Sequence, residues 1–166
     1  MAGARQVSAA ASLRQPHPGP HVRLPAGMHH GSCLCGAIRY EIRGELGPIV
    51  LCHCAQCRKA QGSAFAANAP VSTGDFAIVA GGDALAAYES SPGKKRHFCR
   101  HCGSPIFSAR DSAPDVVRVR IGTLDTRVDA RPTAHIFAAS RAEWDGIRDG
   151  LPQHAGREPG RTGEKG

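Results

Sequence analysis

The stretch Cys52-His53-Cys54-Ala55-Gln56-Cys57 places three sulfurs within six residues. If the chain enters it as a strand, Cys52 and Cys54 share one face, and Cys57 returns from the first turn of a following helix, so that all three reach one ion. Two further groups lie outward from it, Cys33-Leu34-Cys35 and Cys99-Arg100-His101-Cys102-Gly103, and these account for all 7 cysteines. The count is odd and the spacings are short. Two zinc ions shared among seven thiolates leave one with four ligands and the other with three. A closed four-cysteine site holds a fold together, whereas a three-cysteine site keeps a position for a substrate.

Cys99 and Cys102, with Gly103 directly after, form a knuckle whose backbone turns N–H groups toward the thiolates. A tetrahedral ion needs a second pair from elsewhere in the chain. Cys33 and Cys35 can supply it, because residues i and i+2 of an extended segment point to one side, and Gly31 and Gly36 allow a tight backbone there. Spacing alone also permits Cys33 and Cys35 to join Cys52 and Cys54. For Cys52, Cys54 and Cys57 the fourth donor is water, a histidine or a substrate. His53 points away by strand alternation, and His97 and His101 read as surface residues, so an open site is expected. Histidine as an eighth ligand would instead give two structural sites. Rubredoxin-type iron would use four cysteines and leave three unexplained, and iron–sulfur clusters use other spacings. Disulfides in a secreted chain call for an even count behind a signal peptide. Here the count is odd and no continuous apolar stretch opens the chain, so a reducing, cytoplasmic setting is expected.

A length of 166 residues suits one domain. Aromatics make up only 5%, which fits a fold that draws part of its stability from metal–thiolate bonds. No apolar run approaches the roughly 18 residues that cross a bilayer, and the chain reads as soluble. Of the formal charge of +7, Arg5, Arg14 and Arg23 supply three within the acid-free residues 1–27, and residues 153–166 supply one more. Seven thiolates around two divalent ions bring the middle of the chain close to neutral, which argues against a nucleic-acid partner.

Residues 1–27, rich in Ala, Pro, Arg and His, read as a disordered extension, with Met28 the natural beginning of the domain and an organellar leader as the competing reading. The domain is expected over 28–152 and a flexible tail over 153–166. Ile38, Tyr40 and Ile42 alternate with Arg39, Glu41 and Arg43 as in a half-buried strand. Pro48–Cys52 reads as a strand running into the central cysteines, and Ala55–Gln61 as one or two helical turns stopped by Gly62. Further strands are expected at Ser63–Val71, Phe76–Ala80, Ala84–Glu89, Arg96–Cys99, Pro105–Ser108, Val116–Ile121 and Thr133–Ala138. Ser140 with Glu143 suggests a capping box opening a short helix or turn to Ile147. The expected class is mainly β, with short helical turns.

Gly31-Ser-Cys-Leu-Cys-Gly-Ala-Ile-Arg-Tyr40, Cys52-His-Cys-Ala-Gln-Cys-Arg-Lys59 with Gly62-Ser63-Ala64-Phe65, and His97-Phe-Cys-Arg-His-Cys-Gly103 with Ser104-Pro105 together resemble the glutathione-dependent formaldehyde-activating enzyme and centromere protein V domain family. Gly122-Thr-Leu-Asp125, His135-Ile136, Trp144 and Asp149-Gly-Leu-Pro152 continue the likeness. The resemblance implies an Mss4-like fold of small β-sheets packed around two zinc ions. It implies a structural zinc on Cys33, Cys35, Cys99 and Cys102, and a catalytic zinc on Cys52, Cys54 and Cys57. It also implies a carbon–sulfur lyase that joins a small thiol such as glutathione to formaldehyde. A noncatalytic zinc-stabilised binding module is the alternative within the same resemblance.

At such a site a thiol would enter as thiolate and attack a carbonyl carbon. Arg58 and Lys59 either hold a substrate carboxylate or are solvated charges on a short helix. Lys94-Lys95-Arg96 reads as an exposed turn, and Tyr40, Phe65, Phe98 and Phe107 as core aromatics. Asp125 reads as fixing a turn, Trp144 as a packing anchor for the C-terminal segment or an indole lining a cleft, and His135 as a satisfied core or edge residue.

Overall fold

Alternation builds the first sheet. Ile38, Tyr40 and Ile42 are fully buried, whereas Arg39 and Arg43 on the other face are exposed. A computed structural model describes residues 27–159; the expectations for the remainder of the N-terminal extension and for residues 160–166 lie outside the described residues. In chain order the elements are β1 (His29–Ser32), β2 (Arg39–Ile42), β3 (Ile49–Cys52), α1 (Ala55–Gln61), β4 (Ala66–Ser72) and β5 (Phe76–Ala80), then β6 (Leu85–Ser91), β7 (Lys94–Cys99), β8 (Pro105–Arg110), β9 (Ala113–Arg120) and β10 (Pro132–Ile136). They form a three-stranded sheet in the order β1-β2-β5 and a seven-stranded sheet in the order β10-β3-β4-β9-β8-β7-β6. All pairings are antiparallel except β10 on β3, which is parallel. The protein is mainly β, and no helix among the described residues is long and apolar enough to cross a membrane.

The main core lies where the small sheet covers one face of the large one. Ile38, Tyr40 and Ile42 pack with Val71, Ile106, Phe107, Val117 and Val119. Each fully buried side chain of this size contributes about 1.5–3 kcal/mol. Phe76 links the layers, its ring centroid 5.3 Å from Tyr40 and 4.9 Å from Phe107. Gly31 is required by close approach, since a Cβ there would collide with the Tyr40 ring and the Thr123 carbonyl.

The opposite face of the large sheet carries a second cluster of Val50, Cys52, Cys57, Ala66 and Ile136. Cross-strand partners point to the same face. The ladders Val50–Asn68–Arg120 and Arg96–Ser108–Arg118 therefore align on one surface, along with Cys52.

Three readings need correction. Lys94-Lys95-Arg96 is the start of β7, and Arg96 is 8% exposed, because β6 and β8 pair on both sides of it. Trp144 is 74% exposed and anchors no core. Of the short helix or turn expected from Ser140, the structure has the turn: a 3-10 turn over Ala138–Ser140 ends there, and the Asp145 N–H bonds back to the Ala142 carbonyl. Finally, Gln153 bridges His135, and the Phe137 N–H donates to the Gly156 carbonyl at 2.7 Å, so residues 153–156 run alongside β10 rather than trailing free.

Candidate functional site

The turn between β1 and β2 holds Cys33 and Cys35, while β7 and the turn after it hold Cys99 and Cys102. The four sulfurs lie within 4.8 Å of one another, with Cys33 and Cys35 3.5 Å apart and Cys35 and Cys99 3.8 Å apart. Backbone amides face these sulfurs: the Ile38 N–H donates to Cys33 at 3.2 Å, and those of Ala37, His101 and Ser104 reach Cys35, Cys99 and Cys102. The Leu34 N–H donates to Ser104 Oγ at 2.9 Å, and Gly103 to the Cys99 carbonyl at 2.8 Å, which closes the knuckle. This cluster joins the small sheet to the large one.

Cys52, Cys54 and Cys57 form a second group, again with all sulfurs within 4.8 Å of one another. Cys52 is the last residue of β3, Cys54 is the N-cap of α1 and accepts from the Cys57 N–H at 3.4 Å, and Cys57 lies in the first turn. Among the described residues no fourth histidine, cysteine or carboxylate completes the group. The two clusters are separate, so Cys33 and Cys35 do not join Cys52 and Cys54. Two sulfurs on a tetrahedral zinc at ~2.3 Å stand roughly 3.8 Å apart, which both groups can match. Either cluster can hold a metal ion, and soft thiolates suit zinc.

His53 turns to the other side of β3. It is fully buried, with Nε2 2.8 Å from His135 Nδ1 and Nδ1 3.6 Å from Asp145 Oδ2. His135 Nε2 lies 2.9 Å from Asp149 Oδ1. Burial, then the neighbouring His135, lowers the pKa of His53. His135 is a satisfied core histidine. His97 is half-buried and stacks on Phe107 at 4.1 Å, and His101 is exposed; neither joins a cluster. Arg58 Nε donates to the His53 carbonyl at 3.2 Å, which ties the start of α1 to the loop before it, while Lys59 is exposed.

Two arginines complete the site: Arg96, which the sequence placed in an exposed turn, and Arg120, which it did not single out. Arg96 Nη1 and Nη2 both lie 3.9 Å from Cys57 Sγ, and Nη2 donates to Gln56 Oε1 at 3.4 Å. Arg120 is 4% exposed, stands on the Cys52 face of the sheet in the Val50–Asn68–Arg120 ladder, and keeps its Nε buried without a hydrogen-bond partner. Burial lowers its pKa to about 10, so it stays charged at neutral pH. The Cys57 thiol is held far below its ordinary range by hydrogen bonds from Cys52 and Cys54 and then by Arg96 and Arg120. Cys52 is pushed up by its hydrogen bonds with Cys54 and Cys57 and by burial. Two basic positions on one face of strands near the cysteines, Arg118 with Arg120 and Lys94 with Arg96, were the available signal.

Residues 28–140 match the sequence pattern of the family described as glutathione-dependent formaldehyde-activating enzyme. A Halomonas elongata protein, provisionally named a glutathione-dependent formaldehyde-activating enzyme, is 29% identical over 69% of this chain and 77% of its own length. A Schizosaccharomyces pombe protein named as an uncharacterised lyase is 32% identical over 49% of this chain and 57% of its own. A crystal structure of a Rhodobacter sphaeroides protein superposes with a TM-score of 0.51 at 30% identity, covering 60% of this chain and 91% of that one. The match to the family pattern takes in both cysteine clusters and all ten described strands. With fold, cysteine grouping and sequence in agreement, the chain belongs to the glutathione-dependent formaldehyde-activating enzyme family.

Proposed function

We propose that the protein is a zinc-dependent carbon–sulfur lyase that joins a small thiol of glutathione type to an aldehyde such as formaldehyde, or runs the reverse reaction. The observation that carries the reading is the arrangement at the β3–α1 junction: three sulfurs brought together with no fourth protein donor among the described residues. Cys52, Cys54 and Cys57 hold the zinc of this site. Cys33, Cys35, Cys99 and Cys102 hold a second zinc whose role is structural. A divalent ion held by three thiolates supplies a Lewis acid that lets a thiol bind deprotonated at neutral pH.

The chain's own residues set the stage for that chemistry. The first-turn amide of Cys57 and the Arg96 guanidinium both face cysteine sulfur, favouring thiolate. The turn of His53 toward His135 keeps the nearest imidazole out of the fourth position. In the forward direction the substrate sulfur forms a bond to the carbonyl carbon, the C=O π bond opens onto oxygen, and the proton lost by the thiol ends on that oxygen. Holding the two reactants at contact distance removes much of the entropic barrier. Use of all seven cysteines as metal ligands rather than in disulfides is consistent with work in a reducing compartment such as the cytoplasm.

The test is titration of cobalt-substituted protein with glutathione and simpler thiols, alongside NMR exchange rates for formaldehyde with the same thiols. A thiol-dependent change in the cobalt spectrum and faster adduct exchange are expected. No spectral response to any thiol, with exchange at the rate of buffer alone, would leave a noncatalytic zinc-stabilised binding module.

A further inference from the structure

Buried guanidinium groups are costly unless an opposite charge faces them. Arg96 and Arg120 are 8% and 4% exposed, and neither forms an ion pair with a carboxylate among the described residues. The negative charge within reach is that of Cys52, Cys54 and Cys57: Arg96 places both terminal nitrogens 3.9 Å from Cys57 Sγ, and Arg120 shares the Cys52 face of the sheet through the Val50–Asn68–Arg120 ladder. The four-cysteine cluster is built differently. Backbone amides face its sulfurs, with the Ile38 N–H 3.2 Å from Cys33.

Charge counting separates the two sites. Three thiolates on a divalent ion carry one net negative charge, and two guanidinium groups carry two positive ones. The surplus is a single positive charge, which a neutral fourth donor leaves in place and an anionic one cancels. We propose that Arg96 and Arg120 make the Cys52–Cys54–Cys57 site select an anionic fourth donor, a thiolate in the working protein, over a neutral one such as imidazole. The inference rests on the lyase reading and names what decides its specificity: the two arginines reject neutral donors by charge before any contact with the rest of the substrate is made. The orphaned Arg120 Nε–H, buried and without a partner, is the donor left to an acceptor atom of such a ligand.

The test uses full-length protein carrying cobalt at both sites, read by its visible spectrum, with 2-mercaptoethanol, azide and imidazole as probes. Wild type should bind 2-mercaptoethanol and azide more tightly than imidazole, the reverse of what an isolated anionic tris-thiolate centre favours. Arg96→Met and Arg120→Met should each lose about tenfold in affinity for the two anions and little for imidazole. Arg96→Lys and Arg120→Lys should keep most of the preference. The unchanged spectrum of the four-cysteine site reports folding. Should the Met variants not fold, the wild-type order of azide against imidazole still decides, and imidazole binding as tightly as azide overturns the proposal. Anion affinity unchanged in folded Met variants overturns it while leaving the lyase reading intact. Failure of wild type to respond to any thiol overturns both.

Discussion

His53 shows how one residue can leave a cysteine cluster open by staying out of it. Its neighbours Cys52 and Cys54 face the cluster, while it inserts into the far side against His135, 2.8 Å away, and Phe65, 5.5 Å between centroids. His135→Ala strips Nε2 of its partner in a fully buried position, and should cost about 2–3 kcal/mol in urea denaturation. The pH dependence follows from the lowered pKa, caused first by burial and then by His135 and opposed by Asp145. An unfolded His53 takes up a proton near its ordinary value of 6.5, whereas the folded one resists until lower pH. Its contribution is therefore complete above about 6.5 and is lost as pH falls through the window below that value. Zinc-loaded His53→Gln should lose less stability than wild type between pH 7 and about 5.5, and parallel curves would remove His53 from the account. The direction of His53 was legible in sequence because strand alternation is a local rule. The burial of Arg96 and Arg120 was not. It depends on which strands pair outside β7 and β9, and a Lys-Lys-Arg run looks the same at an exposed turn as on a covered face.

Elements whose signals are local were read to their ends. Gly62 adopts φ 61° as the C-cap of α1, so Ala55–Gln61 stops where sequence placed the stop, and Phe76–Ala80 coincides with β5. By contrast β1, with the sequence His-His-Gly-Ser, carries no strand signal. Its extended form comes from register against β2, where Gly31 pairs with Tyr40. At Ser140 the chain takes the turn rather than the helix for a related reason: residues 137–139 spend their amides on the segment 154–156. Two glycines of the first hairpin separate steric from conformational demands. Gly31→Ala drives a methyl into the Tyr40 ring and the Thr123 carbonyl, and should destabilise by about 2 kcal/mol or more. Gly36→Ala meets no atom within 4 Å and pays only for φ +73°, about 1 kcal/mol. Guanidinium denaturation of the two variants should rank them in that order.

At the scale of the molecule, the two cysteine clusters sit on opposite faces of the seven-stranded sheet and differ in what they join. Cys33 and Cys35 belong to the small sheet's first hairpin, and Cys99 and Cys102 to the β7–β8 turn, so that cluster fastens one sheet to the other beside the core of Ile38, Tyr40 and Ile106. Cys52, Cys54 and Cys57 fall within six residues at one strand–helix junction and close almost no loop. On the proposed reading, metal binding to the first cluster would be coupled to assembly of the whole domain, and binding to the second only to a local turn. Cys102→Ser should destabilise by about 3 kcal/mol or more, a fall in Tm on the order of 10 °C, while Cys54→Ser should cost about 1 kcal/mol and bind one equivalent of metal less. Chelator titration with a colorimetric zinc indicator should release metal from wild type in two phases. The first leaves the far-ultraviolet dichroism unchanged, and the second coincides with its loss. Release of both equivalents in one phase with unfolding would mean that both clusters hold the fold, and that the second is no more exchangeable than the first.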